Sequence, residues 1–235
     1  MKARRQLVLV LLALLAASSA RADWLDATAR MLGLTKTPSA QKGGGDSLPS
    51  GDVMVVALAG GEPRALTNGG GYRSPIIMPD GTVLALKGED LMRIPAAGGA
   101  PVRVRALRRA LKLIGVDREN PDRIAFLARG GDGSALAVLS IGSSAVAAQP
   151  HDPKSNADRR LMNHLRGESR EYEGVLLYLH PESRETAGGT LEWTEVYAKR
   201  GDAPPARLSR CDGVPCVQPS LSPDGKQVAY ILTAR

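Results

Sequence analysis

From residue 52 onward, apolar and polar positions come in short runs punctuated by glycine and proline, a pattern of strands and tight turns. The clearest run is Gln218 to Leu232, with Pro223-Asp224-Gly225 at its middle. It predicts a strand, a turn and a second strand. Proline pre-sets φ at the first turn position, aspartate bonds its own backbone and glycine takes the φ > 0 position. In the second strand Val228, Tyr230 and Leu232 alternate with Ala229 and Ile231. Both faces are apolar, so burial on both is expected. Arg73 to Leu86 repeats the pattern around Pro79-Asp80-Gly81.

The two turns lie 144 residues apart, three intervals of 48. Degenerate copies fall between them, at Asn120 to Leu127, where Arg123 replaces the glycine, and at Tyr172 to Leu179, which lacks the proline. Each such inner hairpin alternates with an outer pair of strands, at 52–67, 90–104, 135–148 and 195–209. Gly-Gly or Gly-Asp in mid-unit marks a two-residue turn that needs φ > 0. The chain thus begins with an outer pair and ends with an inner pair. Repeats of this kind build radial sheets, and the offset predicts that one sheet is stitched from both ends of the chain. The expected fold is all-β: a β-propeller of four blades over 52–235, with Val228–Leu232 paired to the strand around Val53–Leu58. The alternative is a half-ring that needs a second copy. A charged stretch at 149–171 and a polar one at 181–189 read as loops at one end of the ring, with a short helix an option at 157–166.

The first 51 residues follow different rules. Met1-Lys-Ala-Arg-Arg, an apolar run of 11 residues from Leu7 to Ala17 and Ala20-Arg21-Ala22 form a secretory signal peptide over 1–22. The run is too short for a bilayer span, so no stable membrane span is expected after cleavage. Residues 23–34 predict a short amphipathic helix with Trp24, Leu25 and Met31 near one stripe, and 35–51 predict a flexible linker. The expected location is the periplasm. Candidate partner-binding residues are Trp24, Leu25 and Met31 on this helix, and Arg159, Arg160 and His164 in the charged stretch.

Composition narrows the chemistry. Apolar residues make up 43% but aromatics only 3%, with a single Phe, so the core must be built from Ala, Val, Leu and Ile. Lys2, Arg4, Arg5 and Arg21 supply four of the seven net positive charges, leaving +3 on the cleaved chain. Charge therefore gives no case for nucleic acid as a partner. The basic run Arg103 to Lys112 alternates partly at strand period and is expected to line a solvated face. Cys211 and Cys216 are the only cysteines, and in an exported chain they are expected to form a disulfide. His151, His164 and His180 are scattered, and no nucleophile elbow or EF-hand loop occurs. No catalytic residue, cofactor or metal site is assigned.

Gly60-Gly-Glu-Pro-Arg-Ala-Leu-Thr67, Pro79-Asp-Gly-Thr-Val-Leu-Ala85 and Ser222-Pro-Asp-Gly-Lys-Gln-Val-Ala-Tyr230 resemble the propeller repeats of the TolB family. The resemblance covers roughly 52–232. It implies the propeller fold and an exported, non-enzymatic module that binds another envelope or periplasmic protein. The alternatives are a small-molecule or cation sensor, or the accessory propeller of an exported hydrolase. The chain has no room for the α/β domain that precedes the ring in TolB itself. A monomer is the expected state and a homodimer the alternative.

Overall fold

The computed structural model describes residues 48–117, 120–130, 134–142, 146–150, 165–167, 171–172 and 174–233. The signal peptide, the 23–34 helix with Trp24, Leu25 and Met31, and nearly all of the linker lie outside these residues, as do Arg159, Arg160 and His164. Every described element is a strand. In chain order they are β1 (Gly51–Ala57), β2 (Arg64–Ala65), β3 (Tyr72–Ile77), β4 (Val83–Lys87), β5 (Asp90–Ile94), β6 (Val102–Ala106), β7 (Ala110–Asp117), β8 (Arg123–Arg129) and β9 (Ser134–Ser140). They continue as β10 (Val146–Pro150), β11 (Leu165–Gly167), β12 (Glu171–Tyr172), β13 (Val175–Thr186), β14 (Gly189–Arg200), β15 (Ala206–Arg207), β16 (Cys216–Leu221) and β17 (Gln227–Thr233). No described helix is long and apolar enough to cross a membrane.

The strands form three antiparallel sheets, none of them closed. The largest has the order β16-β17-β1-β3-β4-β5-β6, with β2 on β1. It is two meanders joined at a single residue pair, Gly51 opposite Tyr72. The second sheet runs β10-β9-β8-β7-β11, and the third β12-β13-β14-β15. The expected pairing of the chain's two ends is present. β1 lies antiparallel to β17 over its whole length, from Gly51 opposite Thr233 to Ala57 opposite Gln227.

Strand alternation explains how the meanders stack. On β17, Val228 and Tyr230 enter a core with Val175, Leu177 and Val196 of the third sheet. Ala229 and Ile231, on the other face, enter a core with Ile77, Val83, Ala85 and Ile94. On β4 the alternation continues. Leu84 and Leu86 leave that core and join Leu113, Ile124 and Phe126 of the second sheet. The doubly apolar strands expected from sequence are therefore the middle layers, buried on both faces. Phe126 is the only phenylalanine, and aliphatic side chains fill nearly all of these cores. Burying one such side chain is worth about 1.5–3 kcal/mol.

Two expectations about loops need correction. Residues 181–189 are not a loop: β13 and β14 run on through Thr186 and Gly189 as one long hairpin. Its register joins residues Val175–Thr186 to Gly189–Arg200, because Thr186 and Gly189 close a tight turn in which the Thr186 hydroxyl donates to the Gly189 carbonyl at 2.6 Å. Within the charged stretch, Leu165–Gly167 is a strand on the edge of β7, not part of a helix. There the backbone gains ladder partners at Gly115–Asp117.

Candidate functional site

The repeated turns come together. Pro79-Asp80-Gly81 between β3 and β4, Asn120-Pro121-Asp122 between β7 and β8, and Ser222-Pro223-Asp224 between β16 and β17 surround an open cavity of about 600 Å³. Ile77, Met78 and Val116 form its apolar part, and Pro79, Pro121 and Pro223 flank them. Asp80, Asp117 and Asp224 contribute carboxylates, and Ser222 and Gln227 complete the polar wall. No Lys or Arg is among the described residues that line it. Three distant stretches of sequence thus build one site from the same local structure.

Each turn is closed in the same way. The Gly81 amide donates to the Met78 carbonyl at 2.9 Å, and the Gly225 amide to the Ser222 carbonyl at 2.9 Å. The Arg123 amide donates to the Asn120 carbonyl at 2.9 Å, so arginine stands where the other two copies have glycine. The carboxylates hold the turns. Asp80 accepts from the Thr82 amide at 2.9 Å and hydroxyl at 2.6 Å, and pairs with Arg93 at 2.7 Å. Burial pushes its pKa up, but the Thr82 bonds and the Arg93 charge outweigh that and hold it below the ordinary value. Asp224 is lowered first by the Ser222 hydroxyl, which donates to it at 2.6 Å. Asp117 pairs with Arg123 at 3.2 Å.

The Ser222 hydroxyl is consumed by its turn, donating to Asp224 and accepting the Gln227 amide at 2.8 Å. The aspartates have the ordinary structural role expected for turn aspartates. What remains is an accessible hollow with an apolar floor and oriented oxygens, of a size that takes small ligands or side chains.

Cys211 and Cys216 form the expected disulfide, with Cα atoms 6.0 Å apart. Beside it lies a group that sequence reasoning missed. Glu195 is fully buried. It accepts from Trp193 Nε1 at 2.9 Å, the Cys211 amide at 2.9 Å, the Ser209 hydroxyl at 2.5 Å and the Arg207 guanidinium at 2.5 Å. Burial alone would raise its pKa. The hydrogen bonds from Ser209, Trp193 and Cys211, then the Arg207 charge, reverse the shift, so the carboxylate stays ionised. No recognised motif marks this residue: its partners are Trp193 on its own strand and the alternate residues Arg207, Ser209 and Cys211 of the stretch that follows. With the sulfurs joined to each other, the Glu195, Cys211 and Cys216 group is a structural knot and offers no thiolate to a metal.

His180 is exposed on β13, 5.0 Å from the Tyr197 ring and 3.5 Å from the Glu182 carboxylate. Tyr197 stacks on Tyr178 at 5.8 Å and donates to Glu182 at 2.8 Å. That hydrogen bond is the main reason the Tyr197 pKa rises. His151 and His164, the other two histidines, lie outside the described residues. The basic run divides between the edge strand β6, where Arg103 pairs with Asp90 at 2.8 Å, the turn at Arg108 and Arg109, and β7. No protein-family model matches this chain, and no characterised protein matches it either.

Proposed function

We propose that the chain is a four-bladed propeller of TolB-like repeats, and that it acts as a non-enzymatic interaction module for another envelope protein in the periplasm. The observation that carries the binding role is the convergence of three copies of the repeat turn on one open cavity. Four antiparallel meanders stacked through three apolar cores support the propeller reading. The leader sequence and the disulfide support export to an oxidising compartment.

In this reading the meander β16-β17-β1-β2 is the blade that closes the ring, and the cavity is the mouth of its axis. A partner inserts a side chain or loop there, over the apolar floor of Ile77, Met78 and Val116. Site-specific photo-crosslinking from Gln227, an exposed wall residue, tests it in envelope extracts. A discrete crosslinked protein is expected from Gln227 and none from Glu62, which is exposed on the β1–β2 turn. Equal labelling from both positions, or none from either, rejects the mouth as the docking site.

The cavity volume also favours a second reading, a small-molecule sensor. A thermal-shift panel of metals, sugars and short peptides separates the two, since a sensor is stabilised by its ligand without any partner protein. Light scattering of the cleaved chain tests ring closure: a monomer fits four blades, and a stable dimer fits an eight-unit ring.

A further inference from the structure

The hairpin β1–β2 is held mainly by the far end of the chain. Along β17 it makes a seven-residue ladder, and the Leu58 amide adds a bond to the Lys226 carbonyl at 2.8 Å. Val53, Val55 and Val56 bury their side chains on both faces of that ladder. Toward β3, by contrast, β1 has one paired position, Gly51 opposite Tyr72. The connection to β3 runs through Leu66 to Gly71 and ends in three glycines.

That connection has the properties of a hinge. Gly70 and Gly71 have φ of 61° and 78°, which glycine adopts without strain. A Cβ at Gly70 would meet nothing within 4 Å, and one at Gly71 only the Lys87 side chain. Leu66 and Thr67 belong to the buried hairpin, and the Gly70 amide donates to Asp52 at 2.8 Å, so the pivot lies within Asn68 to Gly71. Once the Gly70–Asp52 bond opens, these four residues reach about 13 Å when extended. The bonds that shape the hairpin travel with it. The Thr67 hydroxyl donates to Asp52 at 2.8 Å, and the Val53 amide to that hydroxyl at 3.0 Å.

We propose that the β1-facing edge of β17 is a strand-acceptor site, and that the partner it fits is the β1–β2 hairpin of a second copy of this chain. Outside the hinge, reciprocal exchange recreates every contact of the closed form between molecules. The cost is the Gly70–Asp52 bond in the connection and the ordering of the hinge. The inference needs only the β1–β17 register and stands whether or not the four meanders close into a ring.

The test uses the full chain carrying Val55→Cys and Ala229→Cys, which face each other in the register. Light and 15N-labelled copies are refolded together, oxidised and digested. Light–heavy peptides linked through positions 55 and 229 form only by exchange. They are expected, and deleting Gly70 and Gly71 should raise their share about fivefold, because a shortened hinge strains the return within one chain. Linked peptides that are all light–light or heavy–heavy, with both hinge lengths, overturn the proposal. A second measurement does not depend on either variant folding alone. A Gly51→Val chain is mixed with a chain lacking 227–235. The truncated chain keeps an intact hairpin and the Gly51→Val chain an intact β17, so a 1:1 heterodimer is expected in native mass spectrometry. A mixture that behaves as the sum of its parts overturns the proposal.

Discussion

Ser74 and Gln218 stand at the same place in two copies of the repeat, 144 residues apart, and the Ser74 amide donates to the Gln218 side-chain oxygen at 2.5 Å. Both precede a proline, and both have positive φ, 51° and 56°. Each sits where its strand slips register, between Arg73 and Ile76 on β3 and between Val217 and Ser220 on β16. Such bulges re-aim the backbone of a strand. Here they turn one repeat toward the other, and the Gln218 amide goes on to donate to the Pro49 carbonyl at 2.7 Å. Replacing Gln218 by alanine removes the acceptor of a part-buried amide. We expect a loss of about 1–3 kcal/mol by chemical denaturation. A loss of a few tenths would mean that water replaces the side chain.

At Gly51, β17 leaves no room for a side chain on β1. A Cβ there would lie 1.9 Å from the Leu232 carbonyl oxygen, which is backbone and cannot move aside without breaking the ladder. Gly51→Val should cost about 2–3 kcal/mol or more, as overpacked positions do. Gly142→Ala, where a Cβ meets nothing within 4 Å, should be close to neutral. Equal melting temperatures for the two variants would refute the close approach.

Deleting residues 226–235 removes β17, which separates two apolar cores and carries Val228, Ala229, Tyr230 and Ile231, all nearly fully buried. We expect the truncated chain to lose its cooperative melting transition, because both neighbouring meanders lose the surface that they pack against. Retention of a single sharp transition in calorimetry would show that β17 is a dispensable tail.

Glu195 makes stability depend on acid. Its pKa in the folded chain is held below the ordinary 4.5, so its stabilisation is present above about pH 4.5 and is lost as pH falls through the folded value. The wild-type melting temperature should therefore drop below pH 4.5 more steeply than that of Glu195→Gln. At neutral pH the variant should be about 2–3 kcal/mol less stable, since Arg207, at 38% exposure, keeps part of its hydration. Parallel pH profiles would remove Glu195 from the acid limb.

The strands and turns were legible because their causes are local. Pro-Asp-Gly closes a turn by its own φ angles and side-chain bonds, and Val228 to Leu232 shows two apolar faces by simple alternation. The phase of the repeat even predicted the partner of β17, since an outer pair at one end and an inner pair at the other leave two half-units to join. The long β13–β14 hairpin was not legible. Its outer half, Pro181 to Glu192, is polar and mostly exposed, and a two-stranded arm in water shows no apolar period.

The candidate site divides in the same way. The sequence by itself determined each turn, the strand alternation, the aliphatic core and the two cysteines able to pair. Only the tertiary structure decided that three turns share one cavity, that Ser74 meets Gln218 and that Glu195 is buried among Trp193, Arg207, Ser209 and Cys211. Local conformation follows from neighbouring residues. Which distant groups meet depends on how stacked sheets bury both faces of β4 and β17, and no single stretch of chain carries that information.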